Sequence, residues 1–152
     1  MCRNWKRGGR KFGLNTTGLA PHHTIPMLTE IVKLWHERGV IFSFRVSIDG
    51  VNQIHNDVRQ VPRGFDKANE TIQAMQALQQ KYRFNFGIST IIFYQNLDDA
   101  ENILNWARSD KLDTVFNMVR FTDPMLGNSE LAETCQPLGE EEERMRQFFL
   151  ER

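Results

Sequence analysis

Between residues 40 and 49 the chain alternates apolar and polar positions with a period of two. Val40, Phe42, Phe44, Val46 and Ile48 fall on one side, and apart from Ile41 the other side carries Ser43, Arg45, Ser47 and Asp49. That period predicts a strand with two chemically different faces, one apolar enough to pack under helices and one able to line a wet cavity. Gly50 lets the backbone turn at the strand's C-terminal end, where α/β folds place their ligands, and a polar loop follows as far as Gly64. The rest of the chain reads in the same way. Lys11–Asn15 predicts a short strand before the turn Thr16-Thr17-Gly18, and Thr24 with Pro26 predicts a helix start. Leu28, Ile31, Val32 and Trp35 continue that helix to a stop at Gly39.

A second helix is expected from about Asp66, its face traced by Phe65, Ala68, Ile72, Met75 and Gln79, and Phe84–Phe93 reads as a third strand. Asp98 with Glu101 reads as a capping box for a helix through Arg108, and Thr114–Thr122 as a fourth strand. Pro124, Gly127, Asn128, Pro137 and Gly139 mark a loop, and four glutamates from Glu140 suit the positive end of a last helix with Met145, Phe148 and Phe149 on one face. Strand–helix alternation predicts an α/β fold: a parallel sheet with right-handed crossovers and flanking helices. Four strands with loops this elaborate read as part of something larger.

Composition narrows the setting more than the function. The 152 residues suffice for one ordinary domain, with 40% hydrophobic and 25% charged positions. Lys plus Arg and Asp plus Glu each number 19, so global charge points to no nucleic-acid or membrane partner. No apolar run approaches the ~20 residues of a spanning helix. Arg3, Lys6, Arg7, Arg10 and Lys11 interrupt any signal-peptide core, and the expected location is cytoplasmic. Cys2 and Cys135 have no paired spacing, so neither a disulfide framework nor a cysteine metal site is read from them.

Several polar residues near the strand ends carry two readings each. Ser47 is a hydroxyl on the polar face of the strand, or a small residue in a crowded strand end. Asp49 accepts hydrogen bonds from a ligand, or satisfies backbone amides in the turn at Gly50. His55 acts as an acid–base group, or orders the loop beside Asp49 and Asp57; with those two carboxylates it also outlines a weak metal-site pattern. Arg59 presents a planar fork that pairs with carboxylates, or is a solvated surface residue. Asn96 contacts a ligand, or starts the helix near Asp98. Asn117 and Arg120 lie on opposite faces of the last strand, so at most one faces a lumen. His22 and His23 are expected to point apart. The basic cluster from Arg3 to Lys11 suits phosphate or a solvated helix end. Trp5, Trp35 and Trp106 read as packing residues.

Taken together, Val46-Ser47-Ile48-Asp49-Gly50, Ile54-His55-Asn56-Asp57-Val58-Arg59 and Gly64-Phe65-Asp66 resemble the fourth strand and following loop of radical S-adenosylmethionine (SAM) enzymes. The branch most resembled is the one of peptide- and cofactor-maturing enzymes with SPASM-type extensions. Leu14-Asn15-Thr16-Thr17-Gly18-Leu19 resembles the end of that family's third strand, and Asn96 the Asn after its fifth. Residues 12–122 are covered, and residues 123–152 read as a loop and the start of a C-terminal helix.

The resemblance implies a fragment of a partial (β/α)6 TIM-type barrel in a single incomplete core. It implies that Ser47, Arg59 and Asn96 position S-adenosylmethionine, with Asp49 and Thr17 in support. In the intact enzyme a 4Fe-4S cluster would cleave SAM to a 5′-deoxyadenosyl radical that abstracts hydrogen from a small-molecule or peptide substrate. An electron donor such as ferredoxin or flavodoxin is then implied. The chain departs from the family in lacking both the C-x3-C-x2-C cluster loop and the Gly-Gly-Glu-Pro segment. Iron–sulfur centres need Cys thiolates, so the expectation is an N-terminally truncated fragment, inactive alone. The rival expectation is a non-catalytic α/β module that binds a nucleotide or a protein.

Overall fold

The computed structural model describes residues 11–119 and 138–150. Strand β1 (Lys11–Thr16) is followed by helix α1 (Pro21–Glu37), strand β2 (Ile41–Ser47), a short helix α2 (Gln53–Arg59), helix α3 (Gly64–Gln79) and strand β3 (Asn85–Ile92). A 3-10 turn at Leu97–Asp99 then leads into α4 (Ala100–Ser109), strand β4 (Asp113–Met118) and α5 (Glu140–Leu150). The strands form a four-stranded parallel sheet in the order β1-β2-β3-β4, flanked by helices. β1 and β2 pair in register from Lys11 opposite Ile41 to Thr16 opposite Val46. Consecutive neighbours in a parallel sheet are what strand–helix–strand repetition produces.

Three expectations are corrected in detail. α1 begins at Pro21 rather than near Thr24, because proline suits the first helical position, where its missing N–H has no helical acceptor to lose. Pro26 therefore sits inside the helix. Second, the expected loop from Gly50 to Gly64 contains α2, seven residues long. Third, Asp98 and Glu101 form no capping box: the chain makes a 3-10 turn first, and the N-cap of α4 is Asp99, without a side-chain cap bond. The basic segment up to Arg10, Trp5, Cys2, Arg120, Thr122, Cys135 and the loop before Leu138 lie outside the described residues.

The chain divides into two compact units, Met1–Ser47 with Asp66–Gly87, and Ile48–Phe65 with Ile88–Arg152. In the first, the predicted alternation places Phe42, Phe44 and Val46 in the core, while Ser43, Arg45 and Ser47 stay half-buried. Leu28 and Val32 of α1 and Ala68, Ile72 and Met75 of α3 are buried in the same unit, the helical spacing expected of an apolar stripe. Phe44 and Phe86 stack with centroids 5.7 Å apart, and Phe12 meets Trp35 at 4.8 Å. Gly18, at φ +69°, suits glycine by its backbone and leaves little room for a side chain: a Cβ would lie 3.1 Å from Val46 Cγ1 and 3.2 Å from Ala68 Cα. Thr71 Oγ1 donates to the Gly18 carbonyl at 3.0 Å and fixes that turn against α3.

In the second unit Ile92, Leu97, Ala100, Met145 and Phe148 form a buried cluster, with Phe116 and Phe149 packed on it. The apolar stripe predicted for the last helix is thus the one α5 buries, and Phe116 meets Phe148 edge-on at 5.0 Å.

Candidate functional site

The second unit opens where β2 ends. Ile48 is fully buried and its N–H donates to the Ser89 carbonyl at 2.9 Å, which carries strand pairing one residue beyond Ser47. Asp49 follows, buried, and the chain then turns at Gly50 because nothing larger fits: a Cβ there would lie 2.5 Å from Ile54 Cγ2 and 2.8 Å from the His55 nitrogen. Asn52 takes φ 53° and ψ −116° to enter α2, an uncommon conformation for a residue with a side chain. At the other end Gln60 is left-handed, and Asn56 Oδ1 accepts the Phe65 N–H at 2.8 Å, satisfying a donor at the start of α3.

Within α2, His55 and Arg59 stand one turn apart, the spacing that puts two side chains on one face. Both turn toward Asp49. Its backbone N–H donates to His55 Nδ1 at 3.1 Å, so the neutral imidazole carries its proton on Nε2. His55 Nε2 is buried with no hydrogen-bond partner among the described residues. Arg59 Nε lies 2.5 Å from Asp49 Oδ2, a close ion pair, yet its N–H is not aligned as a hydrogen bond. The pair is asymmetric: the Arg59 side chain is 29% exposed and that of Asp49 only 7%. Burial raises the Asp49 pKa above the ordinary carboxylate value, opposed by the Arg59 charge, by the close side-chain contact with Arg59, and by a hydrogen bond from the Ile91 backbone. Burial, and then the Arg59 charge, push His55 down to about 4.

The loop after β3 closes the arrangement. Asp99, buried, accepts the Val51 N–H on Oδ2 at 2.5 Å and the Asn102 amide on Oδ1 at 2.7 Å. One carboxylate thereby ties the turn after β2 to the first turn of α4. Asn96 is fully buried: its Oδ1 accepts the Phe93 N–H and its Nδ2 donates to the Ile91 carbonyl, both at 2.9 Å.

Of the residues expected to bind a cofactor, the fold brings Asp49 and Arg59 into direct contact. Asn96 lies in the same unit, its amide engaged by backbone groups on both sides. Ser47, half-buried, and Thr17, exposed, belong to the first unit. The turn reading of Asp49 is corrected: its carboxylate meets Arg59 and the Ile91 backbone, while Asp99 takes the turn amide of Val51. His55 orders the turn through Asp49 alone, since Asp57 is exposed and accepts from Gln53 at 2.6 Å. Among the described residues, no three His, Cys, Asp or Glu side chains gather into a group able to hold a metal ion.

His22 and His23 do not point apart: both are exposed and their ring centroids lie 4.1 Å from each other. Exposed rings in a first helical turn are free to rotate together. Trp35 and Trp106 pack as expected, against Phe12 and against Phe65. Asn117 is exposed near the end of β4. Asp99 was not marked by its sequence context; the only signal was an acidic pair before a helix, which pointed to Asp98. A groove of about 610 Å³, lined by Asn56, Asp57, Gln60 and Arg63 among others, lies beside α2 and does not include Asp49 or Arg59. No helix among the described residues is long and apolar enough to cross a membrane. No protein-family model and no curated protein matches the chain.

Proposed function

We propose that this chain forms part of a radical SAM-type core and that the end of β2 holds the amino-acid end of S-adenosylmethionine. The observation that carries this reading is the Asp49–Arg59 pair at the glycine turn, buried on its acidic side and open on its basic side. A half-buried arginine anchored from behind by a buried carboxylate is a pre-oriented receptor for a ligand carboxylate. Arg59 takes that role and Asp49 holds its orientation, while the part given to Ser47, a hydroxyl offered to the ribose, rests on the resemblance. Asn96 shapes the loop after β3 through its two backbone contacts. Thr17 rests on the resemblance alone. Four parallel strands in consecutive order suit a sector of a (β/α)6 barrel, with the turn after β2 at a strand C-terminal end, where such folds collect ligands.

Bound SAM would supply a sulfonium whose carbon–sulfur bonds are activated for cleavage. A 4Fe-4S cluster does not fit these residues by themselves, because the two cysteines cannot supply three thiolates. That same shortage favours the second reading, a nucleotide- or protein-binding α/β module without chemistry. Sequencing upstream of the Met1 codon separates the two: an in-frame C-x3-C-x2-C supports the first and a stop codon the second.

Calorimetric titration with SAM tests the site directly. Arg59→Lys keeps the charge but loses the fork, and is expected to weaken binding by ~1–3 kcal/mol. Ser47→Ala removes one neutral hydrogen bond and is expected to cost about 1 kcal/mol. His23→Ala, at an exposed position of α1, serves as the control and leaves affinity unchanged. Wild-type affinity in both site variants, with native melting curves, would mean that the strand-end site is wrongly assigned.

A further inference from the structure

In the second unit a single guanidinium serves two environments. Asp49 meets Arg59 from the interior with 7% of its side chain exposed, whereas Arg59 keeps 29% of its own open. The part of this pair that is open to solvent thus belongs to Arg59 rather than to Asp49. Once a carboxylate arrives there from solvent, two carboxylates share one cation, and like charges at such range cannot both keep their full ionisation.

The groups around Asp49 leave little to offset that repulsion. From α2 it faces Arg59 and His55, and from β3 the Ile91 backbone N–H. Asp99, from the turn ahead of α4, adds a further carboxylate beside Val51. His55 is neutral near pH 7, being pushed down to about 4, so it brings no compensating charge. Burial already favours the protonated form of Asp49, and Arg59 is the charge that opposes it. Dividing Arg59 between two anions removes part of that opposition.

We propose that Asp49 takes up one proton from solvent when a ligand carboxylate engages the exposed side of Arg59, so that anion binding at this site is proton-coupled. The inference rests on the reading of Arg59 as the anion-binding arm. It makes Asp49 a positioning residue whose protonation lets Arg59 turn its charge outward. Affinity for a carboxylate ligand then falls as pH rises across the window between the free and bound titrations of Asp49. The limit for one linked proton is about tenfold per pH unit.

Two measurements on the full chain test this, with SAM, methionine and formate as probes. The carbon-13 carboxyl resonance of Asp49, identified by its loss in Asp49→Asn, is titrated with and without saturating probe. Calorimetry in phosphate and in Tris then counts protons taken up on binding. The expected result is a higher Asp49 midpoint with probe bound, uptake of up to one proton, and neither in Asp49→Asn, whose affinity no longer follows pH in that window. Formate carries no ammonium group, so its uptake reports on the protein alone. An unchanged or lowered midpoint with SAM bound overturns the inference and leaves the SAM site standing. Binding of formate with a raised midpoint but no binding of SAM supports the inference and overturns the SAM reading. Formate bound without a shift, or no probe bound at all, overturns the inference.

Discussion

Gly50 has its first heavy-atom neighbours where a methyl group would need to be. A Cβ at that position comes within 2.5 Å of Ile54 Cγ2 and 2.7 Å of Ile54 Cβ, and within 2.8 Å of the His55 nitrogen, which is backbone and cannot step aside. Gly50→Ala should therefore push α2 away from the strand end and cost ~1–3 kcal/mol, the range for overpacking, read by urea denaturation. An unchanged midpoint would mean that the turn adjusts freely. His55 makes the second residue-level case. Its pKa falls from 6.5 to about 4 on folding, so between those values the unfolded chain binds more protons than the folded one. Stability thus rises with pH through that window and is lost as pH falls from 6.5 toward 4. The shift bounds the effect at about 3 kcal/mol. Asp49, with its pKa raised from 3.8, contributes a slope of the opposite sign from that value upward. His55→Asn places an amide oxygen near the Nδ1 position and removes the titration, so the wild type's loss of stability as pH falls from 6.5 should disappear in the variant. Parallel pH profiles for the two proteins would show that His55 does not titrate on unfolding.

The elements that were legible in advance are those with strong periodicity. β2 was readable because a half-buried strand alternates by necessity, and Phe42, Phe44, Val46 and Ile48 are all buried. The stripes of α3 and α5 were readable for the same reason at helical spacing. α2 was not, because seven residues with one buried side chain, His55, carry too few apolar positions to show a period. Its helix is held by tertiary contacts, as short helices are. The strand-end pair was half legible: the glycine turn located it, but the partners of Asp49 come from one turn of a helix that the pattern hid, and the partner of Val51 from residues far along the chain. Asp98 and Asp99 show how local pattern misleads. The local pattern favours Asp98 as a cap, yet Asp98 is exposed and pairs with Arg144, while buried Asp99 joins two loops. Asp99→Ala should leave the Val51 N–H and the Asn102 amide without their acceptor and cost ~1–3 kcal/mol. Asp98→Ala breaks an ion pair held in water and should leave the melting temperature within error. Equal losses in the two variants would contradict the separate roles drawn here.

At the level of the whole molecule, the sheet order leaves β1 with a hydrogen-bonded neighbour on one side only among the described strands. A free strand edge is a template for pairing with another chain, and proteins commonly blunt it with charge, proline or a bulge. Lys11 and Asn15 are polar, but Phe12 on the same strand is 48% exposed and Ile41, on the neighbouring strand, 50% exposed. Phe12 is not idle, since it packs on Trp35 and lies within 6.3 Å of Phe42, so part of its area is already covered within the first unit. The exposed part, beside backbone with no strand partner among the described residues, is the portion that a second strand would bury. Self-association is thus expected to grow with concentration, and it should be driven by this edge rather than by charge, the formal net charge being zero. Phe12→Lys places a cation on the strand and keeps the stem of the side chain over Trp35. Sedimentation velocity across a range of concentrations should then show the wild type shifting to larger species while Phe12→Lys stays at one size. A high-salt run separates the causes: apolar edge pairing persists or strengthens in salt, whereas association between charged faces weakens. A wild type that remains monomeric throughout would mean that the β1 edge is covered by some other part of the chain.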